Sequence, residues 1–143
     1  QGGIAAWGDP AEGSYGTNYW TISTGGGASG FKKEWAWNNI NMKGVSEAPF
    51  LGDCGLEGCS MKTADTPPPY DGMYFLSDQG GNNNELRRFC LNRHNYKVNL
   101  LFLDFSVKPT GLRKLWDLQW HTTWQNLMTA SMWPKWMQSL RND

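Results

Sequence analysis

Cys90, His94 and Asp104 lie within fifteen positions of one another, with His121 further along the chain. A thiol hydrolase uses these residue types: the thiolate attacks a carbonyl, an imidazole moves the proton, and a carboxylate orients the ring. The spacing does not supply the geometry. Cys90 and His94 are four apart across a strand end, and that separation does not bring two side chains together on a strand or turn. No Gly-x-Ser-x-Gly elbow, phosphate-cradling glycine loop or His-Glu-x-x-His helix is present. The protein is therefore expected not to be an enzyme. Asp104 interrupts an apolar run, so its charge needs a partner. His94, ten positions earlier, is the expected one, holding a hairpin together.

Three other groupings bear on binding. Asp71, Asp78, Asn82, Asn83, Asn84 and Glu85 gather side-chain oxygens in one stretch, and calcium takes about six to eight oxygens. The spacing is not that of an EF-hand, and a solvated loop with Asx turns is the plainer reading. Ca2+ is the one cofactor left open. Cys54 and Cys59 bracket a glycine-rich turn in which two sulfurs can meet, read as an extracellular disulfide. Zinc would need four ligands, and no second Cys or His pair lies nearby. Cys90 is left over, either as a buried thiol inside a strand or as the partner of a cysteine on another segment. Among the nine tryptophans, Trp7, Trp20, Trp35 and Trp37 are candidates for a glycan-stacking platform. The competing reading puts them in the core and in subunit contacts.

The elements that must position these residues are short. The chain has 143 residues, enough for one domain, taken as 1–143. Seventeen glycines and seven prolines mark a loop-rich fold. Thirteen basic residues balance thirteen acidic ones, which argues against nucleic acid as a partner and against a polybasic membrane contact. Zero net charge also removes the self-repulsion that would oppose close self-packing. No apolar run approaches the roughly 20 residues of a membrane helix. Gln1 stands where a Met would, which reads as a processed chain or a fragment.

Residues 14–23 are rich in aromatic and β-branched types and predict a strand. Trp35 and Trp37 are expected on one side of another short strand, and residues 49–53 form a third. Residues 60–84 read as a long irregular loop stiffened by Pro67, Pro68 and Pro69. Leu86–Leu91 predicts a strand, His94–Lys97 a turn, and Val98–Val107 a long strand apolar on both faces. Residues 87–91 and 98–102 would then pair as an antiparallel hairpin. Beyond Gly111, Leu112, Leu115 and Trp116 recur at helical spacing, as do Trp133, Trp136, Met137 and Leu140.

The stretch from Asn92 to Asp104 contains His94, nine residues and Asp104. With Gly111 to His121, Trp133 to Met137, Ala6-Trp7-Gly8, Gly13 to Gly16 and Pro67 to Tyr70, it resembles the planctomycete-type prepilin and type II secretion-like pseudopilins that carry a His-x9-Asp-Gly motif. Phe105 stands where that motif has glycine. The resemblance implies an α+β, β-rich fold: the antiparallel sheet of a pilin-like globular domain, with short C-terminal helices. It also implies a hydrophobic N-terminal pilin helix, missing from this chain and belonging to the same precursor or to a separate polypeptide. The helix would assemble many copies into a helical, homo-oligomeric filament or pseudopilus, extracellular or periplasmic. Relatives would carry a Cys-Pro segment just upstream of Gln1, which could hold the partner of Cys90, and a calcium loop near the sheet. A sheet face lacking its helix would be exposed and would demand association. The expected function is that of a structural subunit; the alternative is a carbohydrate-binding module.

Overall fold

Along Lys97-Val98-Asn99-Leu100-Leu101-Phe102 every second residue is buried. That period of two marks a strand with one face in the core and the other partly open. It differs from the expected strand covered on both sides. The structure, a computed structural model, describes residues 15–22, 32–55, 58–72 and 84–142. Within them five strands form one sheet: β1 (Tyr15–Asn18), β2 (Pro49–Asp53), β3 (Gly58–Cys59), β4 (Lys97–Phe102) and β5 (Val107–Gly111), in the order β3-β1-β2-β4-β5. The sheet is mixed. β1/β2, β2/β4 and β4/β5 are antiparallel, but β3 runs parallel to β1. The expected all-antiparallel sheet fails at that point because β1 and β4 occupy both edges of β2. The chain reverses after Asp53, and β3 adds to the free side of β1.

Local hydrogen bonds explain the other departures. The strand expected over 14–23 ends at Asn18, whose side chain accepts from the Trp20 N–H at 3.1 Å and starts a 3-10 turn at Tyr19–Thr21. Trp35 closes a 3-10 turn at Lys33–Trp35, so Trp35 and Trp37 do not share a strand. Leu86–Leu91 is not a strand either. Glu85–Phe89 is a 3-10 turn that buries Glu85, Leu86 and Phe89, and Asp65 accepts from the N–H groups of Asn84 and Leu86 at its start.

The expected long strand over 98–107 breaks at 103–106. Asp104 accepts from both the N–H and the hydroxyl of Ser106. The Phe102 N–H reaches the Ser106 carbonyl at 2.9 Å. Phe105 sits at φ 64°. The hairpin is therefore β4–β5, not 87–91 with 98–102.

The inner face of the sheet carries the main core. Val98, Leu100 and Phe102 pack with Met61, Leu86, Phe89, Leu115, Trp116 and Trp120. Gly52 is required here, because a Cβ would collide with Leu100 from the neighbouring strand. Buried indole N–H groups find backbone acceptors, as such donors must: Trp20 on Met61, Trp116 on Asp65, Trp120 on Leu115 and Trp124 on Trp116, all within 2.6–2.9 Å. A smaller cluster joins Trp20, Trp37 and Ala48. The helical spacing near the C-terminus appears as single turns: a 3-10 turn at Arg113–Asp117 and α1 (Lys135–Gln138), which begins after Pro134 and buries Met137.

Candidate functional site

Cross-strand partners share a face, so the register defines what the outer side of the sheet presents. Thr17 pairs with Leu51, Leu51 with Leu101, and Leu101 with Val107. These four residues form one row across β1, β2, β4 and β5, about 14 Å wide at normal strand spacing. Thr17, Leu51 and Leu101 are half-buried, and Val107 is 69% exposed. The next row begins with Tyr15, 63% exposed, paired with Asp53. Phe105, at the tip of the β4–β5 hairpin, is 73% exposed. Phe105, Val107 and Tyr15 are the three most exposed large apolar residues among those described.

Phe105 is unusual in a second way. Its φ of 64° lies in the left-handed region, which costs a residue with a Cβ about 1–2 kcal/mol. Glycine escapes that cost, and glycine is what the His-x9-Asp-Gly pattern has at this position. An aromatic ring is thus held, against backbone preference, where most of it faces outward.

The free edge of β5 is poorly suited to strand addition. Bonds from Phe102 N–H to Ser106 and from Leu112 N–H to Tyr96 fix the alternation of the ladder, so the backbone groups of Val107, Pro109 and Gly111 face outward. Pro109 has no N–H to offer there. Strand addition along this edge would therefore lack the donor at Pro109.

His94 and Asp104 do not meet. They flank opposite ends of β4, roughly 20 Å apart for a strand of six residues. His94 Nε2 instead lies 3.3 Å from Asp53, whose carboxylate also accepts from the Asn99 N–H at 2.8 Å, with Arg93 at 3.8 Å. The His-x9-Asp spacing therefore marks the two ends of one strand: a contact with Asp53 at its start and a turn cap after its end. Asp104 is exposed, and its bonds from Ser106 hold its carboxyl below the usual range. Cys90 is fully buried in the main core, at the end of a 3-10 turn rather than inside a strand. Burial pushes its thiol up, away from the thiolate a nucleophile needs.

Cys54 and Cys59 are brought together, as thiols, with 3.9 Å between the sulfurs. Burial, and then the bond and charge of Cys54, push Cys59 well up; Arg88, 3.8 Å from its sulfur, acts the other way.

The described members of the oxygen-rich stretch are hydrogen-bonded within the fold. Asp71 accepts from Asn92, Asn84 from Thr66, and buried Glu85 from the Ser60 N–H. Asp78 and Asn82 lie outside the described residues, and among those described no cluster of three His, Cys, Asp or Glu is placed to hold a metal. The hub of the region is Asp65, which the sequence reading overlooked. It is 3% exposed and accepts from the N–H groups of Lys62, Asn84 and Leu86. Burial raises its carboxyl, and the three N–H bonds oppose that.

Among the described residues, the tryptophans proposed for a glycan platform do not form an exposed one. Trp20 and Trp37 are buried, and Trp7 lies outside the described residues. Trp35 is half-buried, stacked on His121 at 4.3 Å, with the Lys32 ammonium 4.3 Å from its ring centre. His121 is itself fully buried among Trp35, Trp20 and Trp124, with Thr63 and Thr123 hydroxyls 3.3 Å from its two nitrogens. Burial first and Lys32 second pull it down to about 4, so it is a neutral core ring at neutral pH.

No protein-family model, no curated protein and no solved structure matches this chain.

Proposed function

We propose that this domain is the globular part of a structural subunit of an extracellular or periplasmic pilin-like filament or pseudopilus, which acts by assembling with further copies of itself. One observation carries the reading: the outer sheet face bears the uncharged Thr17–Leu51–Leu101–Val107 row, with Val107 69% exposed at one end of it and exposed Phe105 at the adjoining hairpin tip. Apolar exposure of that kind marks an association surface. The occupant proposed is a second copy of the chain. The Thr17–Leu51–Leu101–Val107 row carries no charge, and the whole chain is neutral, so two copies can approach without self-repulsion. Blunting of the β5 edge by Pro109 directs them to pack by side chains, in a fixed geometry, rather than by open-ended strand pairing. Burial of Trp20 and Trp37 and the capped ring of Trp35 weigh against the carbohydrate-binding alternative.

The test is a photo-crosslinking amino acid at Val107, irradiated in the producing cell. Covalent dimers and higher multiples of this chain are expected. Crosslinks only to unrelated proteins, or none, would contradict the proposal.

A further inference from the structure

An open cleft of about 480 Å³ is lined by Arg113, Ala130, Ser131, Trp133 and Gln138. Its volume falls within the roughly 300–1,000 Å³ of small-molecule sites. Arg113 is the unusual member. Its guanidinium lies 4.7 Å over the Trp133 ring, and Nη1 donates to the Leu140 carbonyl at 3.2 Å. Its Nε is buried with no hydrogen-bond partner, and no carboxylate among the described residues forms an ion pair with it. A guanidinium holds five donors in a rigid fork that matches a carboxylate. Here stacking on Trp133 and one carbonyl fix the fork, and no carboxylate among the described residues pairs with it.

The rest of the lining is neutral and polar. Gln138 donates to the Trp133 carbonyl at 3.0 Å, and its side-chain oxygen can still accept. The Ser131 hydroxyl lies 3.1 Å from that of Thr129. These groups suit hydroxyls, and Arg113 suits an anion. We propose that the cleft binds a small hydroxylated carboxylate, the chemistry of a single sugar-acid residue, with the carboxylate on Arg113 and hydroxyls on Gln138 and Ser131. Trp133 positions the guanidinium; Arg113 above its ring and Trp116 edge-on at 5.5 Å leave it poorly placed to stack on a sugar. The site is separate from the outer sheet row and does not depend on the assembly reading.

The probe is galacturonate, titrated into the full chain and followed by two-dimensional NMR and calorimetry, with galactose and acetate as controls. Saturable binding of galacturonate with a shift of the Trp133 indole N–H is expected, weaker binding of acetate, and none of galactose. Arg113→Lys keeps the charge and stem but loses the fork, and should weaken galacturonate by about tenfold or more. Should that variant fail to fold, Gln138→Ala is expected to weaken it several-fold. Galactose binding as tightly as galacturonate, shifts centred away from Trp133, no saturable binding, or unchanged affinity in the folded variants would each overturn the assignment.

Discussion

Replacing Phe105 by glycine should make the isolated domain more stable and its assembly weaker. The backbone there sits at φ 64°, so removing the Cβ relieves about 1–2 kcal/mol. Glycine gives back about 0.5–1 kcal/mol through the greater freedom of the unfolded chain. Because the ring is 73% exposed, little packing within the fold is lost. The net expectation is a gain of up to about 1.5 kcal/mol in unfolding free energy, read from urea denaturation of dilute protein. In the assembly the same ring would be buried, and losing it costs about 2–3 kcal/mol per contact. That is a roughly 30- to 150-fold weaker self-association, read by sedimentation over a concentration series. Phe105→Ala separates the two effects, since it keeps the strain and loses the ring: assembly should weaken as much, without the stability gain. Phe105→Gly that destabilises the folded chain, or leaves self-association unchanged, refutes the reasoning.

Three further outcomes follow from the interior. Below about pH 6.5 the unfolded chain protonates His121, while the folded ring stays neutral down to about 4. Stability should therefore fall as pH drops through that window, by up to about 3 kcal/mol from this residue; urea unfolding of the wild type with a flat profile there contradicts the buried neutral ring. Asp65→Ala leaves the N–H groups of Lys62, Asn84 and Leu86 without their acceptor and should cost about 3–5 kcal/mol in denaturant unfolding; a loss under about 1 kcal/mol contradicts its role as hub. Refolding in a glutathione redox buffer, with glutathione disulfide as oxidant, should join Cys54 to Cys59 and leave Cys90 reduced and resistant to alkylation until unfolded. Peptide mapping that finds Cys90 in the bridge contradicts that pairing.

Parts of this architecture were legible in the residues. Pro49–Asp53 read correctly as a strand, the helical recurrences at Leu112–Trp116 and Trp133–Leu140 became real turns, and the Cys54–Cys59 approach followed from a short glycine-rich connection. The errors have a common cause. Val98–Val107 is apolar enough to pass for one strand, and only Asp104 and Ser106, through a local side-chain bond, reveal the turn that splits it. Leu86–Leu91 reads as a strand, but the turn Glu85–Phe89 that overlaps it is held at its start by Asp65, about twenty positions away in the chain. The partner of His94 is Asp53, on a different strand, so no local spacing pointed to it. The outer row was missed although its signal was present: the alternation in Lys97–Phe102 places Leu101 opposite the core. Which residues lie beside Leu101 is a matter of register between strands distant in sequence, which local pattern does not record.

The central claim is assembly, and electron microscopy of native, unfractionated material, with mass spectrometry of the same sample, tests it most directly. Regular filaments containing this chain together with a hydrophobic helical segment are the expected result. A dispersed monomer with no such partner would contradict the account.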